Sequence, residues 1–165
     1  MGSRSVASGG HLDPVRAALW DEIEVLDALI DVRREVLPRL EVPEGIRLDS
    51  LVLHPTCSTE HLGTGADLTA VGGAVARDVV VPPSWGCCGF AVDRGMLHPE
   101  LTAGATEAEA RDVAEATAAI EAAGGAADRT AFASCNRTCE MGMSRATGQD
   151  YEHVLETLAR VTRPA

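Results

Sequence analysis

The sequence is poor in aromatic and in basic residues. Only 3% of its 165 residues are Phe, Trp or Tyr, whereas 45% are hydrophobic, so the core must be built from Leu, Val, Ile and Ala. Its 14 Lys and Arg residues face 25 Asp and Glu residues, which gives a net charge of -11. Nucleic acids and anionic membrane surfaces are bound by basic faces, so neither is expected as a partner.

Long apolar stretches are also missing. No run approaches the ~20 residues that cross a bilayer, so we expect no membrane span. The first residues are rich in Gly and Ser and lack the apolar segment of an export signal. We therefore expect residues 1–12 to be a disordered tag or linker and residues 13–162 to form a single cysteine-rich domain in the cytoplasm. Thiols stay reduced in that compartment, so the five cysteines are expected to be ligands or catalysts rather than disulfides.

Helical stripes and short buried runs alternate along the chain. The apolar pattern predicts strands at residues 51–54, 79–81 and 130–133. It predicts helices that begin near residues 13, 64, 106 and 150, and a short helical piece after Cys139. The start near residue 106 rests on Thr106 and Glu109, which have the spacing of a capping box. This alternation predicts an α/β fold, with a small, mostly parallel sheet and helices packed on it.

Every cysteine follows a predicted strand. Cys57 comes after the first strand, Cys87 and Cys88 after the second, and Cys135 and Cys139 after the third. The carboxyl ends of parallel strands share one edge of the sheet, so the cysteines are expected to meet there. Thiolates are soft ligands for zinc, copper(I) and iron–sulfur clusters, and a cation removes the repulsion between them.

The sequence therefore predicts a metal site at this edge. Its candidate ligands are the five cysteines, Cys57, Cys87, Cys88, Cys135 and Cys139. His54, at the end of the first strand, is a further candidate ligand. No residue is expected to be catalytic in its own right.

The spacing of the cysteines leaves other chemistry open. It matches neither the paired C-x-x-C of a zinc ribbon nor the tight cysteine run of a ferredoxin. One alternative is a structural zinc module that docks partner subunits. Another is a metal-free thiol–disulfide domain that uses Cys87 with Cys88, or Cys135 with Cys139.

Three segments around the cysteines carry a family resemblance. They are HPTCS at residues 54–58, GCCGFAVDRG at residues 86–95 and RTCEMG at residues 137–142. Together they resemble the CCG-motif cysteine-rich domain found in heterodisulfide reductase and in the iron–sulfur subunit of glycolate oxidase. The likeness is closest to the C-terminal domain of flavin-linked D-lactate dehydrogenases.

The resemblance implies an electron-transfer function. It implies a four-iron, four-sulfur (4Fe–4S) cluster, or zinc in some members. FAD would be carried only by a partner domain, and the expected partners are a flavin-binding domain or subunit and a ferredoxin-like iron–sulfur domain. The chain would then be part of an oxidoreductase that is not catalytically complete alone.

The match to the motif departs from the family at one position. Cys57, Cys87, Cys88 and Cys139 stand at motif positions. The family's last pair is usually C-x-x-C, but here Asn136 stands where its first cysteine belongs, and Cys135 lies one residue earlier.

Overall fold

The computed structural model describes residues 28–163, and its centre is a four-stranded sheet. The strands run parallel to one another in the order β2-β1-β3-β4. They are β1 (Leu48–Leu53), β2 (Ala76–Val80), β3 (Thr130–Ser134) and β4 (Tyr151–His153). The α/β class is thus confirmed, and within the described residues the sheet is parallel throughout.

Helices connect the strands and cover both faces of the sheet. They are α1 (Ala28–Asp31), α2 (Cys57–Leu62), α3 (Gly65–Val75), α4 (Arg94–Leu97), α5 (Pro99–Ala122), α6 (Arg137–Thr147) and α7 (Val154–Val161). A π-helical turn (Val32–Val36) and two 3-10 turns (Leu37–Arg39 and Ala127–Arg129) complete the regular structure. No helix within residues 28–163 combines the length and apolar character needed to cross a membrane.

Alternation along β1 divides the core into two layers. Leu51 and Leu53 pack with the apolar faces of α3 and α7, in a cluster that includes Val71 and Leu158. Val52 points to the opposite face, where α5 and α6 pack on the sheet. Successive strand residues point to opposite faces, so His54, the residue after β1, lies on the α5–α6 side.

Two elements differ from the sequence predictions. Helix α5 begins at Pro99, so Thr106 lies inside it, and its hydroxyl donates to the carbonyl of Thr102 instead of capping a helix. Proline is well tolerated in a first helical turn, which explains the earlier start. The predicted helix near residue 150 begins with strand β4 and becomes helical only at Val154.

The other predicted elements are found, with shifted bounds. The helix expected after Cys139 is longer than predicted and already contains Cys139, because Asn136 caps it by accepting from the amide of Thr138. The predicted linker 1–12 and the first helix as far as residue 27 lie outside the described residues.

Candidate functional site

The carboxyl ends of three neighbouring strands bring the cysteines to one edge of the sheet. Cys57 is the first residue of α2 and Cys135 directly follows β3. Cys87 and Cys88 lie in the loop after β2, and Cys139 lies in the first turn of α6. All five belong to residues 28–163, and no disulfide joins any two of them.

Two of the five cysteines are buried together. The sulfurs of Cys88 and Cys139 lie 3.1 Å apart, in hydrogen-bonding contact, and each residue is only 4% exposed. Phe90, which is fully buried, packs with this pair, and Met141 lies against it. A Cβ added at Gly142 would stand 3.5 Å from the Cβ of Cys88, so a small residue at this position allows α6 to approach the loop.

The buried pair is electrostatically asymmetric. The hydrogen bond with Cys139 is the main cause that lowers the pKa of Cys88 to about 6, and the charge of His54 contributes in the same direction. The pKa of Cys139 is raised, first by the same hydrogen bond and then by burial. The two pKa shifts have opposite directions, so Cys88 is the thiol of the pair that ionises more readily.

The remaining cysteines surround this pair less closely. Cys57 is exposed and Cys135 is half-buried, and negative charge on either thiol raises the pKa of Cys139 further. The hydroxyl of Thr56 lies 3.7 Å from the Cys135 sulfur. Cys87 is exposed, and its sulfur accepts from the amide of Gly89 at 3.4 Å.

The arrangement fits a metal ion only in part. Among residues 28–163, no group of three or more His, Cys, Asp and Glu side chains is close enough together to hold a metal ion. The expected clustering is therefore limited to the Cys88–Cys139 pair. Two sulfurs bound to one tetrahedral zinc at about 2.3 Å lie roughly 3.8 Å apart, so this pair would have to separate by about 0.7 Å. Cys57, Cys87 or Cys135 would also have to turn towards it.

A buried histidine–glutamate hydrogen bond lies behind the cysteines. His54 is fully buried, and its Nδ1 lies 2.7 Å from Oε1 of Glu109, which is 2% exposed. The Nε2 of His54 is buried and has no hydrogen-bond partner among the described residues. The charge of His54 acts on Cys88, so this imidazole belongs to the electrostatic environment of the site, but its Nε2 makes no hydrogen bond to a cysteine.

Glu109 is the buried partner of His54 that the sequence did not predict. Its spacing from Thr106 suggested a capping box, whereas it lies on the buried face of α5 with Thr102, Thr106 and Val113. The sequence does contain a pattern that indicates burial of Glu109, because residues 102, 106, 109 and 113 recur at helical spacing on one face. What the sequence could not supply was the partner, since His54 is 55 residues away.

A cavity of about 160 Å³ opens beside Cys135, and its lining also includes Thr56, Ser58 and Asn136. The chain passes from β1 to β2 on one side and returns to β3 on the other side of β1. In open α/β sheets, ligands bind at such a topological switch point, outside the carboxyl ends of the strands. The cavity and the cysteines therefore occupy the place where this fold class forms its sites.

In comparisons with protein-family models, with curated proteins and with solved structures, the chain has no match.

Proposed function

We propose that this chain is a metal-binding electron-transfer domain that holds an iron–sulfur cluster through the cysteines at the carboxyl edge of its sheet. The parent enzyme would be a flavin-linked 2-hydroxy-acid dehydrogenase of the D-lactate or glycolate type. The observation that carries the proposal is the contact of the Cys88 and Cys139 sulfurs, two buried soft ligands that come from segments 51 residues apart.

The electrostatics of the pair supports a cationic ligand. The pKa of Cys88 is lowered, whereas negative charge on Cys88, Cys57 and Cys135 raises the pKa of Cys139 and opposes its ionisation. A metal ion removes this repulsion, because it binds the thiolates and displaces their protons. Several cysteines of the site can therefore be ionised at the same time only when a cation is bound.

Each cysteine has a distinct role in this proposal. Cys88 and Cys139 are the inner ligands, and burial by Phe90 keeps water from them. Cys57 and Cys135 act electrostatically on Cys139 and would complete the site, whereas the exposed Cys87 would be the ligand nearest to solvent. When bound, the cluster would supply the electron carrier between FAD on a partner domain and a ferredoxin-like iron–sulfur domain.

Structural zinc is the second candidate. Two ligands of one metal ion lie closer together than two ligands on different irons of a cluster, so the 3.1 Å contact favours a single ion on distance alone. The motifs around Cys57, Cys87, Cys88 and Cys139 favour the cluster, because the family they resemble carries electrons. We rank the cluster first for that reason.

Metal analysis and reconstitution distinguish the two. We expect the full chain, purified without oxygen or reconstituted with iron and sulfide, to show broad visible absorption. Cys88→Ser and Cys139→Ser should each abolish the absorption. Met141→Leu, which changes a neighbour of the pair but keeps its packing, should preserve it. Stoichiometric zinc with no visible band after reconstitution would favour the zinc module, and absence of both metals would overturn the proposal.

A further inference from the structure

The Cys88–Cys139 contact also supports chemistry that needs no metal. We propose that in the metal-free chain these two thiols form a reversible two-electron dithiol–disulfide couple, and that their disulfide blocks metal binding. This activity goes beyond the proposed electron-transfer function, because it stores electrons in the ligands themselves. It also differs from the pairings suggested by the sequence, which were Cys87 with Cys88 and Cys135 with Cys139.

The geometry selects this pair among the five cysteines. The two sulfurs are 3.1 Å apart and a disulfide bond is about 2.05 Å long, so an approach of roughly 1 Å is sufficient. Cys87 is the immediate neighbour of Cys88, yet it is exposed and its sulfur contacts the Gly89 amide instead. The sulfur of Cys135 lies 3.7 Å from the hydroxyl of Thr56.

The contact allows one thiol to attack the oxidant and the other to resolve the oxidised sulfur. The two sulfurs are 3.1 Å apart and both residues are 4% exposed, so neither needs to move far to reach the other. Cys88, in the loop after β2, is taken as the attacking thiol and Cys139, in the first turn of α6, as the resolving thiol; the reverse order gives the same disulfide. Each residue is 4% exposed, so a small oxidant reaches the sulfurs most readily, and hydrogen peroxide is the oxidant of this proposal.

The reaction takes place in two balanced steps. The Cys88 thiolate attacks one oxygen of hydrogen peroxide, an S–O bond forms, the O–O bond breaks, and hydroxide leaves. The Cys88 sulfur is thereby oxidised by two electrons to a sulfenic acid. The Cys139 sulfur then attacks the Cys88 sulfur, the S–S bond forms, the S–O bond breaks, and the Cys139 proton leaves with the hydroxyl group as water. A dithiol such as dithiothreitol reverses the change by thiol–disulfide exchange and is itself oxidised.

Disulfide formation has two measurable consequences. Both buried sulfurs are consumed, so the oxidised chain has no inner thiolate for a metal. The bond also closes a loop between residues 51 apart, which restricts the unfolded chain, so the melting temperature should rise by about 5 °C or more.

The test uses the full chain, stripped of metal, reduced and then treated with one equivalent of hydrogen peroxide. We expect a mass loss of about 2 Da, for two hydrogens, and a linked peptide pair that contains Cys88 and Cys139. Met141→Leu, at a residue that lies against the pair but carries no thiol, should still form the link, whereas Cys88→Ser and Cys139→Ser should not. Dithiothreitol should restore the reduced mass and the capacity to bind zinc.

Peptide mapping of the unsubstituted chain keeps the test independent of whether any variant folds. A dominant Cys87–Cys88 or Cys57–Cys135 link, or oxidation of Cys88 without a link, would overturn the inference. If the reduced chain binds zinc and the oxidised chain binds as much, the claim that the disulfide blocks metal binding is overturned. If the reduced chain binds neither zinc nor a cluster but forms the Cys88–Cys139 link, the proposed function is wrong and the dithiol couple remains.

Discussion

At the scale of single residues, the buried pair of His54 and Glu109 is the feature with the largest expected energetic effect. Both side chains are almost completely buried, and Glu109 is the hydrogen-bond partner of the imidazole Nδ1. Glu109→Ala would leave the His54 imidazole buried without any partner. We expect a loss of about 3 kcal/mol in the free energy of unfolding, measured by urea denaturation.

The same helix offers a matched control for this change. Glu107 is exposed on α5, so Glu107→Ala should alter stability by less than about 0.5 kcal/mol. The double variant His54→Leu with Glu109→Leu should cost less than the sum of its single changes, since neither polar group is then left alone. Additive effects in this cycle would show that the two side chains do not stabilise one another.

Glu140 provides a pH-dependent prediction at the same scale. Burial raises the pKa of this carboxyl above its ordinary value near 4.5, although Arg137 donates to its Oε2 at 2.8 Å. Its other oxygen, Oε1, is buried and has no hydrogen-bond partner among the described residues. The folded state therefore favours the protonated form, and this contribution to stability is complete below pH 4.5 and is lost as pH rises through the raised pKa.

Glu140→Gln cannot ionise and should remove this dependence. The difference in melting temperature, taken as Glu140→Gln minus the unsubstituted protein, should be more positive at pH 7 than at pH 4. The matched change Glu107→Gln, on an exposed carboxyl, should show no such trend. A difference that does not vary with pH would mean that burial of Glu140 does not affect its ionisation.

At the scale of elements, the turn between Cys88 and α5 depends on close packing around Phe90. The amide of Gly95 donates to the Phe90 carbonyl at 2.7 Å. A Cβ at Gly95 would stand 2.8 Å from the Phe90 ring and 2.7 Å from the hydroxyl of Thr102. Gly95→Ala should therefore destabilise the protein by about 1–3 kcal/mol.

Gly104 is the matched control for Gly95. It is exposed inside α5, and a Cβ there would meet nothing within 4 Å. Gly104→Ala should stabilise the protein by about 0.5–1 kcal/mol, because alanine loses less backbone entropy in a helix. Thermal unfolding should give a lower melting temperature for Gly95→Ala and a higher one for Gly104→Ala. An unchanged melting temperature for Gly95→Ala would contradict the prediction.

The sequence predicted the elements that have a strong pattern and missed those that have none. Each of strands β1 to β3 contains a short apolar stretch near a turn, so its existence and the parallel arrangement were predictable. In β2 this stretch is only Val79 and Val80, because Arg77 and Asp78 precede it, so the start of the strand was not. Strand β4 has only three residues, Tyr151–His153, and its apolar tyrosine matched the stripe of the following helix. Thr106 and Glu109 had the spacing of a helix start, but the preceding residues continue as helix back to Pro99.

The location of the candidate site could be predicted from the sequence, but the contact within it could not. The position of each cysteine after a strand indicated one edge of the sheet, and the buried contact lies there. The choice of Cys139 as the partner of Cys88 depends on how α6 packs on the loop, with Gly142 near the Cys88 Cβ. Packing of this kind joins distant segments, so spacing along the chain does not reveal it.

At the scale of the whole molecule, the candidate site can form only when the complete sheet is assembled. Its cysteines follow β1, β2 and β3, and the two that touch are 51 residues apart. No single helix–strand unit contains both buried sulfurs. A metal or a disulfide at this edge would therefore stabilise the fold as one cooperative unit.

The central position of β1 has a consequence for hydrogen exchange. The amide of His54 donates to the Ala133 carbonyl at 2.9 Å, and the His54 carbonyl accepts from the hydroxyl of Ser134 at 3.0 Å. His54 is fully buried, so its amide should exchange with deuterium only when the whole protein opens.

In native-state exchange measurements, the opening free energies of the His54 and Val52 amides should equal the global free energy of unfolding. Amides of the edge strand β4 should exchange sooner. The amides that exchange most slowly would then lie next to the cysteines. Solvent would reach the backbone at the end of β1 only as often as the whole protein unfolds.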